Sequence, residues 1–360
     1  MNIGVDMRPL VVGVTGIARY TGCILDELQR IDLKNNYYLF ECRKSNYVPT
    51  NPKWKKISHN WKRVTTIWQQ FVLPKLLKKH EIDILWTPEQ IGPVLWLPPN
   101  TKMATTVLDF AVLRHPEMIM PLNLFLKRFL IPMTMKKSAA LMPISEFVRK
   151  ELIEFYPYVE SSRKIIKIVG NGAKEWDGDA KPRERENFLF FPGNLEPRKN
   201  HLRLIKALEI VNASGFELNL HLVGPSGWKN TELLKQITSG RLKDRIKYLG
   251  VVTDEELRNQ YLSCAALIFP SIYEGFGIPV LEALRFNTPV LTSRGTVMEE
   301  IAGESAMYFD PYDVDSIAAT IINFLKTGGA PINHDILNRY SWRRAAESMS
   351  ELFDELTAGG

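Results

Sequence analysis

Two glutamates, Glu274 and Glu282, bracket a run whose residue types suit contact with both phosphate and hydroxyls: Ser271-Ile272-Tyr273-Glu274-Gly275-Phe276-Gly277-Ile278, followed by Pro279. An apolar stretch ends at Pro270, and proline at a first helical turn is favourable because its missing N–H would be unpaired there. Gly275 and Gly277 lack a Cβ, so backbone N–H groups can approach a ligand closely, and the helix start adds partial positive charge. The loop therefore reads as a phosphate site. Carboxylates repel phosphate, which directs Glu274 and Glu282 toward hydroxyls. A sugar nucleotide supplies both partners, a pyrophosphate for the amides and sugar and ribose hydroxyls for the acids. A plain strand-loop-helix turn with solvated glutamates would carry the same residues.

A second segment, Phe191-Pro192-Gly193-Asn194-Leu195-Glu196-Pro197-Arg198-Lys199-Asn200, again puts glycine after a strand and cations at a helix start. Cations are unfavourable beside the positive end of a helix dipole unless an anion lies there. Arg198 and Lys199 thus read as a pyrophosphate clamp, although a solvated basic turn is the bland alternative. Near the N-terminus, Gly13-Val14-Thr15-Gly16 precedes a helix that carries Arg19, directly after the first strand. That is a loop at the carboxyl edge of a parallel sheet, where ligands of such folds bind, or simply a turn.

The elements that must position these residues alternate between short β-rich runs and helical patterns, the signature of parallel sheets covered by helices. In the first half the strand readings are Asn2 to Asp6, Ile82 to Thr87, Lys102 to Leu108, Ala140 to Ile144 and Ile165 to Val169. In the second half they are Phe188 to Phe191, Glu217 to Val223, Ile246 to Leu249, Ala266 to Pro270 and Pro289 to Thr292. The expected organisation is an α/β domain over 1–172, a polar linker over 173–187, a second α/β domain over 188–340 and a C-terminal helix over 341–360. That last helix has apolar positions at Ala345, Met349, Leu352 and Phe353, and its apolar face must pack against something, with the first domain as one candidate.

A chain of 360 residues with 45% apolar composition suits two soluble domains. Cys23, Cys42 and Cys264 are too few and too scattered for a disulfide framework or a zinc site, so a reduced, cytoplasmic setting is expected. Met1 runs straight into a strand-like segment rather than a secretory leader, and no apolar run reaches membrane-spanning length. The formal charge of +6 is unevenly shared, with a strongly basic first half and a mildly acidic second half. Anionic lipid, nucleic acid or an acidic small molecule could each answer a basic half.

The strings EGFGIPVLEAL, GNLEPRKNHLRLIKAL, LVGPSGW and GVTGIARYT together resemble the retaining glycosyltransferases of family 4. Ile144-Ser145-Glu146-Phe147-Val148, Asn171-Gly172 and Thr288-Pro289-Val290-Leu291-Thr292-Ser293 add to the likeness, which runs along nearly the whole chain and is most specific in its C-terminal half. The resemblance implies a GT-B fold, with two Rossmann-like doubly wound domains facing across a cleft, the first for acceptor and the second for the nucleotide sugar. It further implies that Arg198 and Lys199 bind the donor diphosphate, that Glu282 bonds the ribose and that Glu274 touches hydroxyls of the transferred sugar. Gly275, Phe276 and Gly277 would present amides, Gly193 would belong to the donor site, and Gly13 and Gly16 would border the phosphates and acceptor.

One departure matters. Family members often carry His-Asp after the strand near residue 107, whereas this chain has Leu108-Asp109. Leucine can neither donate a hydrogen bond nor shuttle a proton, so a side-chain role is lost, and Asp109 becomes the candidate acceptor contact. The family pattern implies retention of anomeric configuration with no metal and no cofactor, and no Asp-x-Asp motif lies at the end of an expected strand. The leaving diphosphate would then be neutralised by Arg198, Lys199 and amides. GDP-mannose is the expected donor, by analogy with bacterial mannosyltransferases of surface-polysaccharide assembly; UDP-hexoses and dTDP-sugars stay open.

The expected acceptor is an oligosaccharide or a polyprenyl-diphosphate-linked glycan. From Trp54 to Lys79 the chain interleaves Trp54, Trp61, Trp68, Phe71 and Leu73 with lysines and Arg63. From Leu122 to Lys137 it sets Leu124, Phe125, Phe129, Leu130 and Met133 around Lys127 and Arg128. Both stretches suit peripheral contact with the inner face of a membrane, and both suit amphipathic core helices with solvated basic faces. A dinucleotide oxidoreductase lacks its glycine fingerprint here, and no nucleic-acid module is present. A sugar-nucleotide binder without turnover keeps every motif and stands as the rival to an enzyme.

Overall fold

The computed structural model describes residues 1–11, 16–174, 176 and 184–358, the side chains of 121–123 excepted. The chain divides into two units, one of Met1–Gly172 with Ser341–Gly360 and one of Ala173–Tyr340. In the first unit β1 (Asn2–Asp6), β2 (Asn36–Glu41), β3 (Lys55–Ser58), β4 (Ile84–Thr87), β5 (Lys102–Val107), β6 (Ala140–Pro143) and β7 (Ile165–Ile166) form one sheet. Its order is β3-β2-β1-β4-β5-β6-β7 and every pairing is parallel. A parallel sheet is covered on both faces, which is why β4 and β6 read as unbroken buried runs rather than as alternations.

Two of these strands escaped the sequence reading. β2 is rich in buried aromatics, and β3 is a lysine-bearing edge strand of only four residues. Lysines on an edge discourage pairing with a further chain, so Lys55 and Lys56 serve the sheet. The same correction applies to the aromatics around them. Trp54 stacks on Tyr37 with ring centroids 4.3 Å apart, and Trp68 and Leu73 are fully buried, so these three belong to the core and not to a lipid-facing surface. Leu130 is buried as well, whereas Ile67, Phe71, Phe125 and Phe129 are exposed. Among the described residues, no helix is long and apolar enough to cross a membrane.

Helix Trp342–Ala358 lies against helix Gly16–Ile31 and buries Ala345, Met349, Leu352 and Phe353. Trp342 meets Tyr20 edge-on at 6.1 Å, and Lys167 reaches Glu351 at 3.0 Å and Glu355 at 2.6 Å. Gly172 makes this docking sterically feasible, since a Cβ there would lie 2.4 Å from the Trp342 backbone nitrogen.

In the second unit β8 (Glu186–Pro192), β9 (Asn219–Val223), β10 (Ile246–Tyr248), β11 (Cys264–Phe269), β12 (Val290–Ser293) and β13 (Met307–Phe309) form a parallel sheet in the order β10-β9-β8-β11-β12-β13. β13, a three-residue edge strand, was not anticipated. The α/β doubly wound class expected from the sequence is the class observed in both units. In each sheet the winding direction reverses once, between β1 and β4 and between β8 and β11, and the crevice at the carboxyl ends of such a pair is where ligands bind.

Gly172→Ala is expected to lower unfolding stability by about 2–4 kcal/mol, because backbone rather than a flexible side chain obstructs the added methyl. Urea denaturation of the full chain checks this, and an unchanged midpoint would mean that the 172–342 contact yields without cost.

Candidate active site

The two glycine-bearing segments follow β8 and β11, the strands that flank the reversal in the second sheet. Adjacent parallel strands thus deliver to one crevice two loops that are far apart in sequence. The Ile272 backbone N–H donates to the Arg198 carbonyl oxygen at 2.8 Å and ties the loops together. Gly193 follows β8 at φ +154°, and its amide donates to the Val223 carbonyl at 2.7 Å. Gly224, at φ +139°, faces it so closely that a Cβ would lie 2.2 Å from the Gly193 oxygen. Both residues sit in backbone conformations that L side chains rarely adopt.

At the centre of the crevice, Glu274 takes both cations. Arg198 Nη1 donates to Glu274 Oε2 at 2.6 Å, and Lys199 Nζ lies 2.7 Å from Glu274 Oε1. Glu196 shares the arginine through its Nε at 3.3 Å and is itself held by Asn194 Nδ2 at 3.0 Å. The Lys199 ammonium sits 4.6 Å from the centre of the Phe269 ring, an electron-rich floor for a buried cation. Burial would raise the Glu274 carboxyl, but the Arg198 and Lys199 charges and their hydrogen bonds outweigh it and hold the group at about 2. Burial pulls Lys199 below the ordinary lysine range, against the raising effect of Glu274. His201, stacked on Phe191 at 4.4 Å, is pushed down to about 3 by burial and by Lys199, so it is a neutral ring at physiological pH.

The remaining residues of the β11 loop are arranged around this triad. Gly277 caps helix Ile278–Arg285, with Pro279 in its first turn, and lies against Met298 so tightly that a Cβ would be 2.8 Å from the sulfur. Gly275 and Phe276 are buried, and the Phe276 ring meets Tyr340 edge-on at 5.4 Å. Glu282 is not at the surface. It is 1% exposed beneath the helix, and its Oε2 accepts the Tyr261 hydroxyl at 2.8 Å. A buried carboxylate needs such donors. Tyr261 was not singled out from the sequence, and neither were Glu196 and Phe269; only Glu196, two positions before Arg198, carried a local signal.

In the first unit, Asp109 follows β5 and is half-buried, its Oδ1 accepting the Ala111 amide at 3.1 Å and its carbonyl accepting Gln90 Nε2 at 2.5 Å. Gly16 opens helix Gly16–Ile31 with open space where a Cβ would stand. Gly13 lies outside the described residues. Asp313-Val314-Asp315 is an Asp-x-Asp run that follows the unanticipated β13. Asp313 caps helix Val314–Thr327 by accepting the Asp315 amide at 2.9 Å, which gives that run a structural role.

Residues 173–341 match the family described as Glycosyl transferases group 1. The chain is similar to O-antigen chain mannosyltransferase B of Escherichia coli, 27% identical over 65% of this chain and 64% of that protein. It is also similar to O-antigen chain mannosyltransferase RfbU of Salmonella typhimurium, 30% identical over 63% of this chain and 62% of that one. The matched region thus spans a little under two thirds of either relative. Anabaena HepE, solved in complex with UDP-glucose, superposes with a TM-score of 0.71 at 15% identity, over 99% of this chain and 100% of that one. The fold is GT-B.

Because Glu274 is held below its ordinary value of 4.5, its contribution to stability is fully present above that value and is lost as pH falls toward about 2. The loss amounts to at most about 3 kcal/mol. Wild type should therefore lose stability relative to Glu274→Gln over this window in urea titrations at successive pH values, and parallel curves would contradict the ion-pair assignment. Tyr261→Phe, which strips a donor from buried Glu282, is expected to cost about 1–3 kcal/mol by the same measurement.

Proposed function

We propose that the chain is a retaining hexosyltransferase that moves mannose from GDP-mannose onto a glycan of bacterial surface polysaccharide. The observation that carries this reading is the Arg198–Glu274–Lys199 cluster at the strand reversal of the second sheet, because it holds charge for a diphosphate and a carboxylate for sugar hydroxyls in one crevice. The names of the two O-antigen relatives support mannose.

When a donor binds, its diphosphate takes Arg198 and Lys199, and Glu274 is released toward hydroxyls of the transferred sugar. The amides of Gly275, Phe276 and Gly277 face the phosphates, Gly193 leaves room for them, and Glu282, held by Tyr261, takes the ribose. Arg198 and Lys199 then stabilise the charge that develops on the leaving diphosphate, so no metal is required of the reaction. Attack occurs on the face the diphosphate leaves, the departing phosphate oxygen accepts the acceptor hydroxyl proton, and configuration is retained. Asp109 contacts the acceptor, an oligosaccharide or a glycan on polyprenyl diphosphate, and Gly13 and Gly16 border the same space. The protein works in the cytoplasm at the inner face of the membrane.

A UDP-sugar donor is the second reading, favoured by the UDP-glucose in the HepE complex. Calorimetric titration with GDP, UDP, dTDP and their sugar conjugates separates the two. GDP-mannose is expected to bind best, with Arg198→Ala weakening it about a hundredfold through loss of charge-assisted contacts. A preference for UDP or dTDP would overturn the mannose donor while keeping the site. Binding without slow donor hydrolysis or transfer would favour a non-catalytic subunit. An inverted anomeric linkage in the product by NMR would sink the front-face mechanism.

A further inference from the structure

The loop that follows β4 is held more firmly than a connection needs to be. The Ile91 carbonyl accepts Arg8 Nη2 at 3.2 Å and Gln69 Nε2 at 2.5 Å, and the Gly92 carbonyl accepts Gln70 Nε2 at 2.9 Å. The Gly92 amide donates to Thr134 Oγ1 at 3.1 Å, and Gln70 Oε1 takes the amides of Val94 at 2.8 Å and Leu95 at 3.2 Å. Gln90 Nε2 bonds the Asp109 carbonyl, which joins this loop to the one after β5. Helix Thr65–Phe71, helix Pro121–Lys137 and the turn after β1 thus fix one loop at the carboxyl end of β4, beside the strand reversal of the first sheet. A loop anchored so firmly at the ligand-binding edge of a parallel sheet serves to place a side chain.

Glu89 is the residue so placed. Its Oε2 lies 3.4 Å from Arg8 Nη2, a long contact, and its side chain is 30% exposed, whereas the Arg8 side chain is buried. Arg8 does not need Glu89 as a counter-charge. Arg8 Nε donates to Asp6 Oδ1 at 3.1 Å and to Oδ2 at 2.8 Å, and Gln69 Nε2 completes the buried pair by donating to Asp6 Oδ2 at 2.8 Å. The guanidinium is therefore already balanced, and the Glu89 carboxylate keeps most of its acceptor capacity for another donor.

We propose that Glu89 sets acceptor specificity: its carboxylate, oriented by Arg8, accepts hydrogen bonds from hydroxyls of an uncharged sugar at the growing end of the acceptor. Any diphosphate of the acceptor then lies outside this crevice of the first unit. The inference rests on the glycosyl-transfer reading and narrows its acceptor. Glu89 and Asp109 stand on two loops that Gln90 joins, so two carboxylates meet the acceptor. Carboxylates accept strongly from hydroxyls and repel phosphate, which disfavours a sugar phosphate at this position. Glu89 touches the substrate, whereas Arg8 acts through it as a positioning residue.

The test is transfer to octyl glycosides of mannose, glucose, galactose and N-acetylglucosamine, against the anomeric phosphates of the same sugars, with the donor that calorimetry selects. At least one octyl glycoside should serve, and its anomeric phosphate should be about tenfold or more poorer by kcat/KM. Glu89→Ala should raise KM for the glycoside about tenfold to a hundredfold with little change in kcat. Glu89→Gln should recover part of that loss, because its carbonyl oxygen still accepts. Arg8→Lys should also raise KM, yet add little in the Glu89→Ala background, an outcome that a merely structural role for Arg8 would not produce. Donor affinity and slow donor hydrolysis should be unchanged in the Glu89 variants. A wild-type chain that binds no donor would overturn the glycosyl-transfer reading, and this inference with it. With donor binding intact, the inference alone is overturned by a KM indifferent to Glu89→Ala, by equal use of the anomeric phosphates, or by failure of every glycoside.

Discussion

Two cations beside the positive end of a helix dipole need an anion, and the second unit is organised around the one it supplies. Arg198 and Lys199 stand just before helix His201–Ala213, in a short turn that ends at Asn200 with φ +65°. Without a counter-charge the dipole would repel both. Glu274 provides that charge from the next loop, and the two cations hold its carboxyl below the ordinary range, against the effect of burial. Everything else in the crevice serves this meeting. The Ile272 to Arg198 backbone bond fixes the distance between the loops, Gly193 and Gly224 let the β8 and β9 turns close over one another, and Phe269 floors the lysine.

Under the proposed function, this internal ion pair is also a placeholder. A diphosphate has the charge and the oxygens to replace the carboxylate, and the displaced carboxylate has the chemistry to bond sugar hydroxyls. Binding would then exchange one set of charge-assisted hydrogen bonds for another rather than expose a bare cation pair, and the crevice is electrostatically balanced without donor. Glu196, also on Arg198, would keep the guanidinium oriented through such an exchange.

How much of this was legible in the sequence depended on the range of each interaction. Glycine type, proline position and the spacing of Glu274 and Glu282 are local, and they were readable. The pairing of Arg198 with Glu274 spans 76 positions and exists only because β8 and β11 are neighbours in a parallel sheet, so the sequence suggested that the cations needed an anion but not that the protein itself provides it. The same applies to Glu282, whose partner Tyr261 lies on another helix. Strands such as β6 and β11 were found because burial on both faces writes an unbroken apolar run. β3 and β13 were missed because short edge strands are half wet and resemble loops. Trp54 and Trp68 misled for a related reason: lysines beside aromatics look the same whether the ring faces lipid or the core beneath a basic edge.

Lysine illustrates how context decides chemistry across this chain. Lys199 is buried, rests on an aromatic ring and meets one carboxylate, so its interactions are concentrated in a small dry volume where they can act on a single ligand. Lys127 and Lys75 are exposed, have no acid within five positions in sequence and are screened by solvent, so each alone exerts little attraction on a ligand. The first arrangement suits recognition of one diphosphate at a defined position.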